Sequence, residues 1–202
     1  KRMLEVGCGS GHSLVWQAKH GAGELWGLDI SESQLRNASR WLAENGVEAH
    51  LVCSPMEEPC GIPEGYFDYV YSIYALGWST DLPCTFRRLA AYLKPGGTLI
   101  FSWNHPLYGR AGCVHVRDGR LVFDKSYFDR CDTEFTFDDG VLYLRNYSIS
   151  DYVNALADAG FAIERLVEQT DAETLAASGD LTDKMRQAQM HPLSFVFKAR
   201  KL

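Results

Sequence analysis

Long apolar runs, basic clusters and paired cysteines are all missing from this chain of 202 residues. No hydrophobic stretch approaches the ~20 residues that cross a bilayer, and no signal peptide is expected. The 20 Lys+Arg are scattered among 26 Asp+Glu in runs no longer than two, for a net charge of −6. That leaves no basic footprint for nucleic acid or an anionic membrane, so neither is an expected partner. Cysteines occur at positions 8, 53, 60, 84, 113 and 131, with no CxxC pair. Neither a zinc ribbon nor a disulfide framework follows, and no carboxylate–histidine spacing suggests another metal. Free thiols and a cytoplasmic location are expected. What remains is an ordinary globular composition, 46% hydrophobic and 23% charged, consistent with one domain over residues 1–202. A chain that begins inside a first strand is expected to continue from an earlier segment. Monomer and homodimer both stay open.

Strand-like and helix-like runs alternate through the first half. Strands are expected at Arg2–Val6, Glu24–Leu28, Ala49–Cys53, Tyr66–Ser72 and Thr98–Trp103, and helices at Ser13–Lys19, Glu32–Glu44 and Leu82–Leu93. Ser31 is placed to cap the second helix and Gly46 follows its end. Such alternation means βαβ units, hence a parallel sheet with helices on both faces. After Trp103 the pattern breaks. Residues 104–147 are rich in aromatics, with hairpin turns expected at Asp118-Gly119 and around Asp139-Gly140. A helix over Asp151–Ala159, capped by Ser150 and stopped by Gly160, leads to two closing strands, residues 161–168 and 193–201. A polar, helical insert, Asp171–Gln189, separates them.

Residues 5 to 11 read Glu5-Val6-Gly7-Cys8-Gly9-Ser10-Gly11. Glycine at alternate positions suits neither strand nor helix, because it packs nothing and loses the most backbone entropy. After a strand of a parallel sheet, such a turn lets a ligand approach the backbone and meet N–H groups at the next helix start. Asp29 closes the second strand, 18 residues after Gly11. An acid there can accept hydrogen bonds from both hydroxyls of a ribose. Loop and carboxylate together read as an adenosine-type nucleotide site.

The spacing is GxGxG, not the GxGxxG of dinucleotide enzymes, because His12 occupies the third fingerprint slot. With the preceding Glu5, this run resembles motif I of the class I S-adenosylmethionine-dependent methyltransferases. Asp29, the run from Phe67 to Ser72, and Leu93-Lys94-Pro95-Gly96-Gly97 leading into strand five extend the resemblance over residues 2–103. Within that family the chain is most similar to the type 11 small-molecule group. The resemblance implies an α/β, Rossmann-like fold: seven strands, mostly parallel, an antiparallel last strand, helices on both faces, and a small hairpin insertion after strand five. It implies S-adenosyl-L-methionine as cofactor, bound by Glu5, Gly7, Cys8, Gly9, Ser10 and Gly11. Asp29 would hold the ribose hydroxyls, Ile30 would pack on the adenine, and the Met56 N–H would meet the adenine edge. Ser72 and Ile73 would lie beneath the sulfonium. Pro55 stands where many relatives carry an aspartate, so Glu57 or Ser54 would supply that contact, or it is absent.

Methyl transfer from a sulfonium needs alignment first and a base only sometimes. Candidates at the ends of strands four and five are Tyr74, Trp78, Asn104 and His105. His105 is placed for acid–base work and Tyr74 is a second candidate, although Asn-His-Pro is also a plain turn sequence. Tyr71, Tyr74 and Trp78 read equally as core or pocket wall. Residues 104–147 are expected to form a lid over a small, partly apolar acceptor. The readings kept beside this one are a non-catalytic cofactor-binding protein, an NAD(P)-dependent oxidoreductase and a nucleic-acid methyltransferase. The last lacks support: Tyr71-Ser72-Ile73-Tyr74 holds no proline.

Overall fold

A computed structural model describes residues 1–109, 111–129, 132–137 and 140–202. Five parallel strands lie at its centre: β1 (Arg2–Val6), β2 (Glu24–Asp29), β3 (His50–Cys53), β4 (Phe67–Ile73) and β5 (Leu93–Asn104). The helices α1 (His12–Lys19), α2 (Glu32–Glu44) and α3 (Leu82–Tyr92) alternate with them. Two hairpins follow, β6 (Val114–Arg117) with β7 (Arg120–Phe123), and β8 (Asp132–Phe137) with β9 (Gly140–Arg145). Helix α4 (Ile149–Asp158), strand β10 (Phe161–Val167), the short helices α5 (Ala172–Ala176) and α6 (Asp183–Met190), and strand β11 (Ser194–Lys201) complete the chain. The seven-stranded sheet has the order β10-β11-β5-β4-β1-β2-β3, with β11 antiparallel to both neighbours. This is the expected Rossmann-like sheet.

Alternation along the strands divides the core between two faces. In β1, Leu4 and Val6 join the larger cluster, which α3 and α4 cover through Phe86, Leu89, Tyr152 and Leu156. Met3 and Cys8 join the smaller one with Leu14, Leu35 and Leu42 of α1 and α2. A strand buried on both faces suits a parallel sheet. Because β1 to β5 run the same way, their carboxyl ends, and the loops that follow them, share one edge of the sheet.

Several local expectations need correcting. The helix expected to reach Leu93 ends at Tyr92 with Leu93 as its C-cap; β5, expected from Thr98, already starts at Leu93, and Pro95 to Gly97 form an irregularity inside it, where pairing jumps from Phe67–Leu93 to Tyr69–Thr98. The cap of α4 is Ser148, not Ser150: its hydroxyl accepts the Asp151 N–H while the Asp151 carboxylate accepts the Ser148 N–H. This reciprocal capping box outcompetes a serine two positions on. Asp118-Gly119 turn the first hairpin at φ 50° and 72°. Of the second turn, Asp139 lies outside the described residues and Gly140 opens β9. The five described cysteines are free thiols; Cys131 lies outside the described residues.

Candidate functional site

Three glycines of the loop after β1 do three different jobs. A Cβ on Gly7 would collide with the methyl group of Ala75, in the segment after β4. A Cβ on Gly11 would come within 3.1 Å of the Ala38 Cβ on α2. Gly7 and Gly11 therefore let the loop sit tightly between two neighbours. Gly9 is different: its nearest neighbour would be Gln34 Oε1 at 3.9 Å, so its missing side chain leaves open space, at φ 51°. Only there does absence of a side chain shape a cradle rather than a packing contact.

Beside that opening lies Asp29. Its Oδ2 accepts the Gly9 N–H at 2.8 Å and its Oδ1 accepts the Ser31 N–H at 2.9 Å. Each oxygen retains a second lone pair, so the carboxylate is fixed in orientation and still able to accept two hydroxyls. Ser10 Oγ donates to Gln34 Oε1 at 2.7 Å, tying the loop to α2. Around the same edge stand apolar side chains that the fold leaves uncovered, Ile30 at 67%, Ile73 at 52% and Tyr74 at 47% exposure. An open glycine, a pre-oriented carboxylate and bare apolar rims fit a nucleoside-bearing ligand such as S-adenosylmethionine.

Beneath the loop, Glu5 is 3% exposed. Tyr71 Oη donates to its Oε2 at 3.3 Å, and Ser13 Oγ donates to that phenol at 3.2 Å. Burial pushes the Glu5 carboxyl up to about 8, against the pull of those hydroxyls and with some help from the Asp29 charge. Burial, with the neighbouring Glu5 and Asp29 charges, also pushes the Cys8 thiol up to about 12, which makes it inert packing. Ser72 Oγ donates to the Val6 carbonyl at 2.8 Å, pinning β4 to β1.

Two candidates are engaged elsewhere. The Glu57 carboxylate accepts the N–H and hydroxyl of Thr80 at 2.7 and 3.3 Å, and Ser54 Oγ donates to the Pro55 carbonyl. Met56 packs against the larger core cluster. His105 is buried, and both its ring nitrogens serve the fold. Nδ1 accepts the Leu107 N–H at 3.2 Å, so Nε2 carries the proton and donates to Glu168 Oε1 at 2.8 Å, beyond β10. Burial lowers its pKa, and Glu168 opposes that. The ring is held toward the β10–β11 side of the sheet, which fits the turn reading of Asn-His-Pro better than acid–base work. His12 starts α1 and packs on Trp41, ring centroids 4.9 Å apart.

The segment after β4 leads from the loop to a second feature. Tyr74 has φ 53°, an uncommon conformation for an aromatic residue, which the surrounding structure must impose. Ala75 faces Gly7, while Gly77 lies so close under the Trp103 indole that no Cβ could fit. Next comes a chamber of about 140 Å³, walled by Trp78, Trp103, Tyr108, Phe135 and Leu144, with Asn104, Arg145 and Asn146 as polar lining. Sequence reasoning found Trp78 and Asn104 near strand ends. It missed Trp103, whose side chain is interpreted only once Gly77 is known to lie under it. Of the other aromatics after Trp103, Phe123, Phe128 and Tyr143 are exposed, and the Tyr147 hydroxyl donates to the Ser79 carbonyl. A larger open concavity, about 740 Å³, lies between α2 and the starts of β2 and β3. It shares no residue with the loop, Asp29 or the chamber.

Comparison with known proteins agrees with this geometry. Residues 3–97 match the family model described as a methyltransferase domain. The ubiquinone biosynthesis O-methyltransferase of Bordetella avium is 34% identical over 102 residues, 50% of this chain and 42% of that protein. The chain thus spans less than half the length of that curated relative. The solved structure of an S-adenosylmethionine-dependent methyltransferase from Mesorhizobium loti superposes with a TM-score of 0.80 and 28% identity, over 99% of this chain and 90% of the other. The geranyl diphosphate C-methyltransferase of Streptomyces coelicolor shares the fold, with a TM-score of 0.68 and 16% identity over 100% of this chain and 73% of that one. Residues 3–97 thus match a methyltransferase domain, and the fold of the whole chain is the one seen in S-adenosylmethionine-dependent methyltransferases.

Proposed function

We propose that this chain transfers a methyl group from S-adenosylmethionine to a small, partly apolar organic acceptor. The observation that carries the proposal is the five-residue segment Tyr74–Trp78. It touches the glycine loop at one end, through Ala75, and walls the aromatic chamber at the other, through Trp78. A nucleoside cradle and an apolar pocket side by side are what donor and acceptor of one transfer require.

In this reading Gly9 admits the cofactor to the backbone, Asp29 holds the ribose hydroxyls, and Ile30 covers the adenine. Met56 meets the adenine edge through its N–H. Ser72 and Ile73 set the floor at the end of β4, and Tyr74 stands at the junction with the acceptor. Glu57, held by Thr80, shapes the neighbouring loop. Bound S-adenosylmethionine supplies a methyl carbon on a sulfonium: the acceptor's lone pair forms the new bond, the S–C bond breaks, and S-adenosylhomocysteine and a proton leave. The protein's part is to orient, to exclude water with its aromatic walls, and to let the proton go. Tyr108, Phe135 and Leu144, from the two-hairpin region after β5, act as the acceptor-side cover. The Bordetella relative's name, an O-methyltransferase of ubiquinone biosynthesis, supports oxygen as the atom methylated.

Isothermal titration tests the cofactor half. S-adenosylhomocysteine should bind and NADH should not; the reverse would reject the reading. Release of S-adenosylhomocysteine in a screen of small acceptors tests the transfer itself.

A further inference from the structure

From the chamber's size, walls and charge we infer the chemical class of the acceptor: an uncharged, planar, single-ring aromatic molecule with a hydroxyl-type substituent. The inference rests on the proposed methyl transfer and narrows it.

Size comes first. At about 140 Å³ the chamber matches a cavity that holds one benzene-sized ring, ~150 Å³ in a well-studied engineered case. An extended multi-ring acceptor would have to leave most of itself outside. The walls come second. The Trp78 ring stands at 74° to Trp103 with centroids 5.8 Å apart, and at 78° to Phe135 with centroids 5.6 Å apart. Rings set nearly at right angles offer a planar guest one face to stack on and an edge to meet, the two favoured aromatic geometries. A saturated ring of equal size would gain the apolar burial without the directional part. Leu144, 7% exposed, adds a purely apolar surface.

Charge comes third. Aromatic walls alone would also suit an organic cation. Here, however, no carboxylate lines the chamber among the described residues, and the one charged lining residue is Arg145. That guanidinium is already bridged to Asp132, Nε to Oδ1 at 2.9 Å and Nη2 to Oδ2 at 3.2 Å. A cationic guest would find no carboxylate in the chamber lining to pair with, and an anionic guest would have to compete with Asp132 for the guanidinium. A neutral guest meets neither cost. Two amides complete the lining. Asn146 donates to the Pro106 carbonyl at 3.0 Å, which fixes its amide, and Asn104 ends β5 at the chamber wall. Amide side chains both donate and accept, so they suit a hydroxyl that must do the same.

Catechol is a direct probe. The full chain, saturated with S-adenosylhomocysteine, is titrated with catechol, with cyclohexane-1,2-diol and with phenyltrimethylammonium, following heat and tryptophan fluorescence. Catechol should bind saturably and quench fluorescence, about tenfold or more tighter than either comparison compound. Phe135→Leu, which keeps bulk and loses the ring, should weaken catechol severalfold while S-adenosylhomocysteine still binds. Trp78→Phe should remove part of the quenching. Catechol binding no tighter than the saturated diol would overturn the aromatic class. Tighter binding of the cation would overturn the neutral one, and unchanged catechol affinity in Phe135→Leu would move the site elsewhere. In each of these cases cofactor binding persists and the methyltransferase reading survives. Failure of S-adenosylhomocysteine to bind would remove both.

Discussion

The two ends of the Tyr74–Trp78 segment are built on opposite principles. At the glycine-loop end the working groups are the backbone and one carboxylate: the Gly9 N–H on Asp29, the Ser31 N–H on Asp29, and open space where Gly9 lacks a side chain. At the chamber end they are side-chain surfaces from distant segments, Trp78, Trp103, Phe135 and Leu144. A main-chain site can be specified by a few contiguous residues plus one acid at a set spacing. A shape site exists only after folding has gathered its walls. The first kind suits a ligand common to a whole family, and the second suits one that differs between members.

Substitutions can sharpen that contrast. The largest effect is expected at Gly7. Gly7→Val drives a branched side chain into Ala75, and so should both destabilise the fold, by roughly 1–3 kcal/mol as overpacked sites do, and abolish cofactor binding. Gly9→Val places its Cβ only in ordinary contact with Gln34 Oε1, at 3.9 Å, so the protein should stay folded, with local φ strain, while binding of S-adenosylhomocysteine falls below detection. Thermal melts beside calorimetry separate the two; equal behaviour would dissolve the distinction drawn between these glycines.

Asp29→Ala comes next. Loss of a charged acceptor should weaken cofactor binding by roughly 1.5–3 kcal/mol. An unchanged dissociation constant would place the ribose elsewhere.

Glu5 gives a pH signature. Its carboxyl is raised from 4.5 to about 8 in the fold, so between those values the folded state holds a proton that the unfolded chain has released. Its contribution is fully present below pH 4.5 and is lost as pH rises toward 8. Inside that window the slope approaches about 1.4 kcal/mol per pH unit as an upper bound. Denaturant midpoints of cofactor-free protein should therefore fall with rising pH, and Glu5→Gln should flatten the trend. Parallel curves for the two proteins would contradict the buried, protonated acid.

The smallest effect belongs to His105. His105→Asn loses the contact with Glu168, worth about 1 kcal/mol of stability, but the pH profile of acceptor turnover should keep its shape. Loss of the acidic limb would restore His105 to the chemistry as a base.

What was legible in the sequence follows the same divide. The strand–helix alternation, the loop and Asp29 could be read because period, capping and glycine spacing are local signals. Errors within that half were boundary errors with local causes. Ser148 and Asp151 cap each other and so displace Ser150, and β5 absorbs Pro95 to Gly97 as an irregularity. The distinct duties of Gly7, Gly9 and Gly11 were not legible, since they depend on Ala75 and Ala38, which only the fold brings near. On the acceptor side, aromatic content after Trp103 suggested a cover but not its members: Phe135 lines the chamber while Phe123 and Phe128 face solvent. His105 illustrates the limit best. Its position at the end of β5 is what a base would need, yet Glu168, 63 residues on, turns it away.

A structure of the full chain with S-adenosylhomocysteine tests the central claim most directly. The ribose should lie on Asp29, the ligand backbone against Gly9, and the sulfur should face the opening bounded by Tyr74, Trp78 and Trp103. A ligand seated in the concavity between α2 and the β2–β3 edge, or a sulfur turned away from the aromatic chamber, would contradict it.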